Sequence, residues 1–522
     1  MVPLRVPRAL SAGWLIALGV VLHLVLAVSA ELSPDEAHYA LYGAHPDWSY
    51  FDHPPLAGWL QAPFAAAGGA DLLMRVVPMV SWLITARIMI ALCRRLPLER
   101  ERATTDPTRL DRWVVLMLLL SPLLNLLGVA LVPDSLLMPL VPAVMLATWS
   151  LRSPERASNW RAWILLSALM GLCVLAKYTG VFIVLGALLS LGAFHGRRLL
   201  RMPGAWLSAI VVVAMASPIV AWNVEHHWAS INYQFAHAVG GQEWRIRSTL
   251  RAMALQLALY GLLLPLAVGR ALREIARLAP SPAFAPVAEA RTLGLAFGLP
   301  VLIVFAVMAG GGSSLPHWTT CGWVALIPLG VAGGIRMGRR VVAALALWQG
   351  LLLGAVVWLV LTGGPGTESG AVAISQAGVR AAGAQRNPVT DVVGWEAAAL
   401  HGAGLAEQRR ARGLVVMNWS LASRLAWYAR PMPVFVAPEH NDQFRLWFGA
   451  LEPGDSAVVV DWSQMPLAVP VGVNGFSKCV PIGQLATDMH GRQLAHFNYS
   501  FCTGWRTGPV DKTIRQPAGA SA

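Results

Sequence analysis

The sequence predicts a mainly α-helical protein that crosses a membrane many times and ends in a small α/β domain. Three observations carry the prediction. Of 522 residues, 56% are hydrophobic. Only 13% are charged, against roughly 25% in soluble globular chains. The apolar residues also fall in uninterrupted runs of about the 20 residues that a bilayer-spanning helix needs. A soluble fold this apolar would expose large apolar patches, whereas a bilayer solvates them.

Taken in order, the runs predict spans at 12–30, 74–93, 113–131, 133–151, 161–177, 179–195, 205–222, 249–269, 293–311, 318–335 and 341–362. That is about eleven spans, with a count of up to about thirteen left open. The first run ends in Val28-Ser29-Ala30, which resembles a signal-peptide cleavage site. It is longer than a usual signal core and many further spans follow, so a retained helix is expected.

The net charge of +13 does not point to nucleic acid. No basic stripe interleaved with aromatics is present on a soluble fold. The arginines instead gather in alternate connections: Arg5 and Arg8, then the loops near 94–112, 152–161, 197–201, 270–291 and 336–340. The intervening connections hold Arg75, Lys177, Arg245, Arg247 and Arg251. By the positive-inside rule the N-terminus is cytoplasmic. An odd number of spans then puts everything after about residue 363 outside, which in a bacterium with two membranes is the periplasm.

The helical part is expected over 1–362, a Gly-, Ala- and Ser-rich linker over 363–390, and the α/β domain over 391–522. In that domain Gly413–Asn418 and Ala457–Asp461 read as strands and Ser420–Arg430 as a helix. Of the five cysteines, Cys93, Cys173 and Cys321 lie in or beside apolar runs and read as packing residues. Cys479 and Cys502 lie in the polar tail and could pair in an oxidising compartment.

Chemistry concentrates on the external side. The first external loop holds Asp35, Glu36, His38 and Tyr39, then Tyr50, Asp52, His53, Pro54 and Pro55. Its bland reading is a polar loop with interfacial aromatics, but His53-Pro54-Pro55 is stiff, and stiffness suits a site. Asp134 follows Pro133 inside an apolar stretch. It is a functional candidate because an ionisable group there is costly, and the alternative is a helix cap. Lys177 is the one lysine before the C-terminal domain; it could hold a phosphate or snorkel to the membrane surface. Trp222-Asn223 and His317-Trp318 mark two further external stretches. A divalent metal could be gathered by Glu36, His53 and His317, although their spacing is not diagnostic.

Asp35-Glu36 followed by Tyr50-Phe51-Asp52-His53-Pro54-Pro55-Leu56 resembles the first external loop of the bacterial family 39 glycosyltransferases. These are similar to protein O-mannosyltransferases and to the aminoarabinose transferase that modifies lipid A. The likeness continues through Pro133-Asp134, Ala176-Lys177-Tyr178-Thr179-Gly180, Trp222-Asn223 and His317-Trp318. It implies a GT-C fold and a polyprenyl-phosphate sugar as donor, with a lipid or cell-envelope glycan such as lipopolysaccharide as acceptor. It further implies Asp35 as general base, with Glu36 and Asp134 as further site carboxylates. Lys177, His53 and Tyr50 are expected near the donor phosphate. His38, Tyr39, Asp52, Trp222, Asn223, His317 and Trp318 are expected around the substrate. The aminoarabinose enzymes have Lys-Pro-Pro where this chain has His53-Pro54-Pro55, so a fixed cation is replaced by a titratable ring. The competing reading is a transporter or flippase. Transporters place ionisable residues near the bilayer midplane in paired broken helices, whereas here they cluster at one face.

Overall fold

The computed structural model describes residues 11–98, 107–239, 243–276, 285–312, 314–364, 387–437, 443–467, 469, 471–473 and 475–506. Most of the expected linker 363–390 therefore lies outside the described residues. Close packing divides the chain into two units: 1–27 with 46–356, and 28–45 with 357–522. The sequence reading put one boundary near 362 and kept 28–45 with the helical part; the packing assigns that segment to the second unit.

Six described helices are long and apolar enough to cross a membrane: Ala12–Ser29, Asp71–Arg95, Tyr178–Arg201, Pro203–Glu225, Ala285–Gly310 and Arg339–Thr362. The expected span at 249–269 is a pair, Ile246–Tyr260 and Leu263–Glu274, bent by 101°. Gly261 between them has φ +79, a left-handed conformation that glycine adopts without penalty. The expected span at 113–131 is likewise broken, into Pro107–Leu119 and Pro122–Leu126. Pro122 cannot continue the incoming helix because it lacks a backbone N–H. Trp160–Ala176 and Thr320–Gly334 are shorter helices within the expected runs. A single apolar core joins these elements through residues such as Trp82, Met138, Trp163, Phe297 and Ile327.

The second unit contains a five-stranded sheet in the order β2-β1-β3-β5-β4. Its strands are β1 Leu414–Val416, β2 Val434–Val436, β3 Ala457–Trp462, β4 Phe476–Met489 and β5 Arg492–Trp505. Strands β2, β1 and β3 are parallel, and β5 and β4 add an antiparallel hairpin. The expected strands and helix are β1, β3 and Trp419–Tyr428. Cys479 and Cys502 face each other across β4 and β5 and form a disulfide.

The segment 28–45 joins this unit through specific bonds. Glu31 N–H donates to the Val392 carbonyl at 2.9 Å, and Leu32 N–H donates to the Tyr428 hydroxyl at 2.8 Å. The Glu31 carboxylate accepts from Trp395 N–H at 2.6 Å. At the centre lies Arg424, whose side chain is fully buried. It donates to the Asp391 carboxylate at 3.0 Å and stacks 3.3 Å over the Trp395 ring. A buried charge persists only when paired and hydrogen-bonded in this way.

Candidate functional site

Within the helical unit a cavity of about 420 Å³ is lined by two kinds of side chain, a volume in the ordinary range for ligand sites. Asp52, His53, Lys177, Tyr178, Thr179, Tyr233 and Gln234 supply polar groups. Phe182, Ile231, Phe235, Val304, Phe305, Met308 and Trp318 supply apolar walls.

The polar wall is built locally. Tyr50 N–H donates to the His53 carbonyl at 3.0 Å, closing a turn that Pro54 and Pro55 stiffen before helix Leu56–Ala66. Tyr50 is fully buried and its hydroxyl accepts from Asp47 N–H at 3.1 Å. A Cβ on Gly58 would stand 2.1 Å from that hydroxyl, so glycine is required there. Tyr50 thus shapes the turn and does not line the cavity, and burial raises its phenol above the usual range. Asp52 Oδ2 lies 3.1 Å from His53 Nδ1, and the Asp52 carbonyl accepts from Gln234 at 2.6 Å. The Tyr233 phenol is pushed up to about 12, first by burial and then by Asp52.

Lys177 enters the cavity because helix Trp160–Ala176 ends there, with Lys177 extended at φ −161, ψ 147. Gly180 N–H donates to the Lys177 carbonyl at 2.8 Å. A Cβ on Gly180 would lie 2.1 Å from the Cys173 carbonyl oxygen, which accounts for the glycine in Lys-Tyr-Thr-Gly. The Tyr178 hydroxyl shares a 2.5 Å hydrogen bond with Ser230.

Lys177 Nζ donates to Asp134 Oδ2 at 2.6 Å, with side chains 6% and 2% exposed. His317 Nε2 lies 4.0 Å from the same oxygen. Asp134 is not a helix cap: the N-cap of helix Pro133–Ser150 is Val132, and no side chain caps it. The His317 turn is held by Thr320, whose hydroxyl donates to the His317 carbonyl at 2.6 Å. The Tyr260 hydroxyl donates to the Pro316 carbonyl at 3.0 Å.

Trp222 and Asn223 have buried supporting places. Asn223 donates to the Ile219 carbonyl at 2.9 Å and accepts from Ile231 N–H at 3.2 Å, fixing the entry to helix Ala229–Val239. Trp222 stacks on His226 with ring centroids 4.0 Å apart and donates to Asp47 Oδ2 at 2.9 Å. Asp47 also accepts from Trp48 N–H through its carboxylate and from the Trp59 indole through its carbonyl. Sequence reading missed Asp47, because its partner Trp222 is 175 residues away.

In the second unit, Asp35 and Glu36 open helix Pro34–Ala44 and differ in environment. Glu36 is 4% exposed. Its carboxylate accepts from Ser33 N–H at 3.0 Å while Ser33 Oγ accepts from Glu36 N–H, a capping box. Asp35 is exposed. His38 is buried among Tyr39, Tyr42, Trp419, Phe444 and Trp447, with ring centroids 5.2 to 5.8 Å away. His45 stacks on Trp447, and burial, followed by Arg430, holds its imidazole below the usual range. Among the described residues no three His, Cys, Asp or Glu side chains converge as a metal-holding group, Glu36, His53 and His317 included.

Residues 52–222, which run from the Asp52–His53 pair through Asp134 and Lys177 to Trp222, match the family model of dolichyl-phosphate-mannose-protein mannosyltransferases. A search of the curated proteins returned no match. Two crystal structures of ArnT from Cupriavidus metallidurans share the fold. The one bound to undecaprenyl phosphate superposes with TM-score 0.57 at 15% identity, over 94% of this chain and 98% of that one. The apo structure gives 0.56 at 16% identity, over 93% and 98%. The chain is therefore a multi-pass membrane protein with the GT-C fold seen in ArnT, and its residues 52–222 match the dolichyl-phosphate-mannose-protein mannosyltransferase family.

Proposed function

We propose that this protein is a membrane glycosyltransferase that moves a sugar from a polyprenyl-phosphate donor to a lipid or cell-envelope glycan on the periplasmic face. The observation that carries the reading is the composition of the 420 Å³ cavity. Its polar side offers Lys177, His53 and Gln234 to a phosphate, and its apolar side offers Phe182, Phe305 and Met308 to a prenyl chain. ArnT, whose fold this chain shares, has been crystallised with undecaprenyl phosphate.

The reaction is a direct displacement with inversion. An acceptor hydroxyl forms a bond to the anomeric carbon, the bond from that carbon to the phosphate oxygen breaks, and the lipid phosphate leaves. Asp35, the exposed member of the Asp35-Glu36 pair, takes the hydroxyl proton. Lys177 and His53 stabilise the charge that builds on the departing phosphate. The helical unit holds the donor, and the second unit is a periplasmic domain. The Cys479–Cys502 disulfide supports an oxidising compartment for that domain, with the N-terminus cytoplasmic. A reporter enzyme active only in the periplasm, fused to the C-terminus, is expected to work; inactivity overturns the orientation.

The test of function is sugar release from a panel of radiolabelled polyprenyl-phosphate sugars in membranes, wild type against Asp35→Asn. Transfer from one donor that is lost in the variant at equal protein level supports the reading. Equal transfer in both removes Asp35 as the base, and transfer from none removes the donor class.

A further inference from the structure

We propose that Asp134 is a positioning residue, the buried counter-charge that aims the Lys177 ammonium at the donor phosphate, and not a second proton acceptor. This rests on the reading of the cavity as a donor site. The geometry separates the two partners. Lys177 lines the cavity and Asp134 does not. Asp134 lies behind the ammonium with 2% of its side chain exposed, and its Oδ2 is 2.6 Å from Nζ. A general base must come within hydrogen-bond reach of the proton that it removes, and the lysine stands on the side from which a substrate would approach.

An ammonium carries three N–H donors. Among the described residues one is spent on Asp134, which leaves the others for the cavity. The carboxylate also holds Nζ in one place, because both side chains are buried and the pair is in direct contact. The surrounding groups do not replace it. His317 approaches the same carboxylate oxygen, and Asp52 is turned to His53 at 3.1 Å. Tyr178 and Tyr233 line the same cavity, and Tyr260 and Cys321 lie within electrostatic range of Asp134.

The test uses the full chain in vesicles, with polyprenyl phosphate without sugar as the binding probe and transfer from the active donor as the kinetic readout, KM and kcat being measured separately. Asp134→Asn is expected to weaken probe binding and raise the donor KM by about tenfold, as loss of a hydrogen bond to a charged group predicts. Its kcat is expected to fall much less than its KM rises. Asp134→Glu retains the charge and is expected to give a KM between those of wild type and Asp134→Asn. Should Asp134→Asn fail to fold, the Lys177→Met/Asp134→Leu double variant removes both charges, and it is expected to fold but not to bind the probe. Asp134→Asn with unchanged KM but a collapsed kcat would assign Asp134 to the chemical step and overturn the proposal. Binding by the double variant at wild-type strength would overturn it too. If wild type itself does not bind the probe, the donor reading falls and the proposal falls with it.

Discussion

Two helices of this protein begin with the same pair of residues, and the pair meets opposite fates. Pro34-Asp35 opens Pro34–Ala44, and Pro133-Asp134 opens Pro133–Ser150. Proline suits the first helical position because its missing N–H would have no partner there anyway, and an acidic residue suits the first turn. Asp35 stands exposed beside a neighbour, Glu36, that is taken up by its own capping box. Asp134 is sealed behind Lys177. Identical local grammar thus yields one exposed carboxylate and one buried in an ion pair.

The sharpest way to break this contrast is to neutralise each carboxylate in turn. Asp35→Asn is expected to lower transfer by about 10²- to 10⁴-fold, the usual contribution of a general base, with folding unchanged; single-turnover transfer in membranes checks it. Lys177→Met strands the buried Asp134 charge and is expected to cost about 3–5 kcal/mol, as breaking one side of a buried ion pair does. Unfolding of the purified protein in detergent reads that loss, and unchanged stability would mean that water reaches the pair. Cys502→Ser removes the clamp between β4 and β5 and is expected to cost about 3 kcal/mol in the second unit. Proteolysis of that unit checks this, and non-reducing mass spectrometry of wild type should find Cys479 joined to Cys502. The smallest effect is expected from Glu36→Gln. Weakening the capping box costs about 1 kcal/mol, and transfer stays within a few-fold of wild type. A large loss of turnover in Glu36→Gln with retained stability would place Glu36 in the chemistry and erase the difference between the two neighbours.

Much of the fold was legible because bilayer physics writes itself along the chain. Each expected span from 12–30 to 341–362 coincides with helical structure. What was not legible is where the spans break, at Gly261 and Pro122. A lone glycine or proline in an apolar run is compatible with a continuous helix until its neighbours are known. The helix Pro34–Ala44 sat in a stretch read as loop, although Ser33-Pro34-Asp35-Glu36 carries a capping-box pattern. The β4–β5 hairpin was also passed over. Its turn is His490-Gly491, with φ values of 51 and 75, in place of the Asn-Gly or Asp-Gly that usually marks such turns.

By itself the sequence determined the membrane-spanning character, the resemblance to family 39 glycosyltransferases and the set of polar residues worth testing. All of these follow from composition and from residues near one another in the chain. Only the tertiary structure decided which of those residues face a cavity, which support it and which are paired. Lys177 and Asp134 are 43 residues apart in sequence, and Asp47 meets Trp222 across 175. The assignment of 28–45 to the second unit also depends on bonds to Val392, Trp395 and Tyr428. A hydrogen bond or ion pair is set by distances of a few ångströms, and no local pattern encodes a partner that the fold brings from far along the chain.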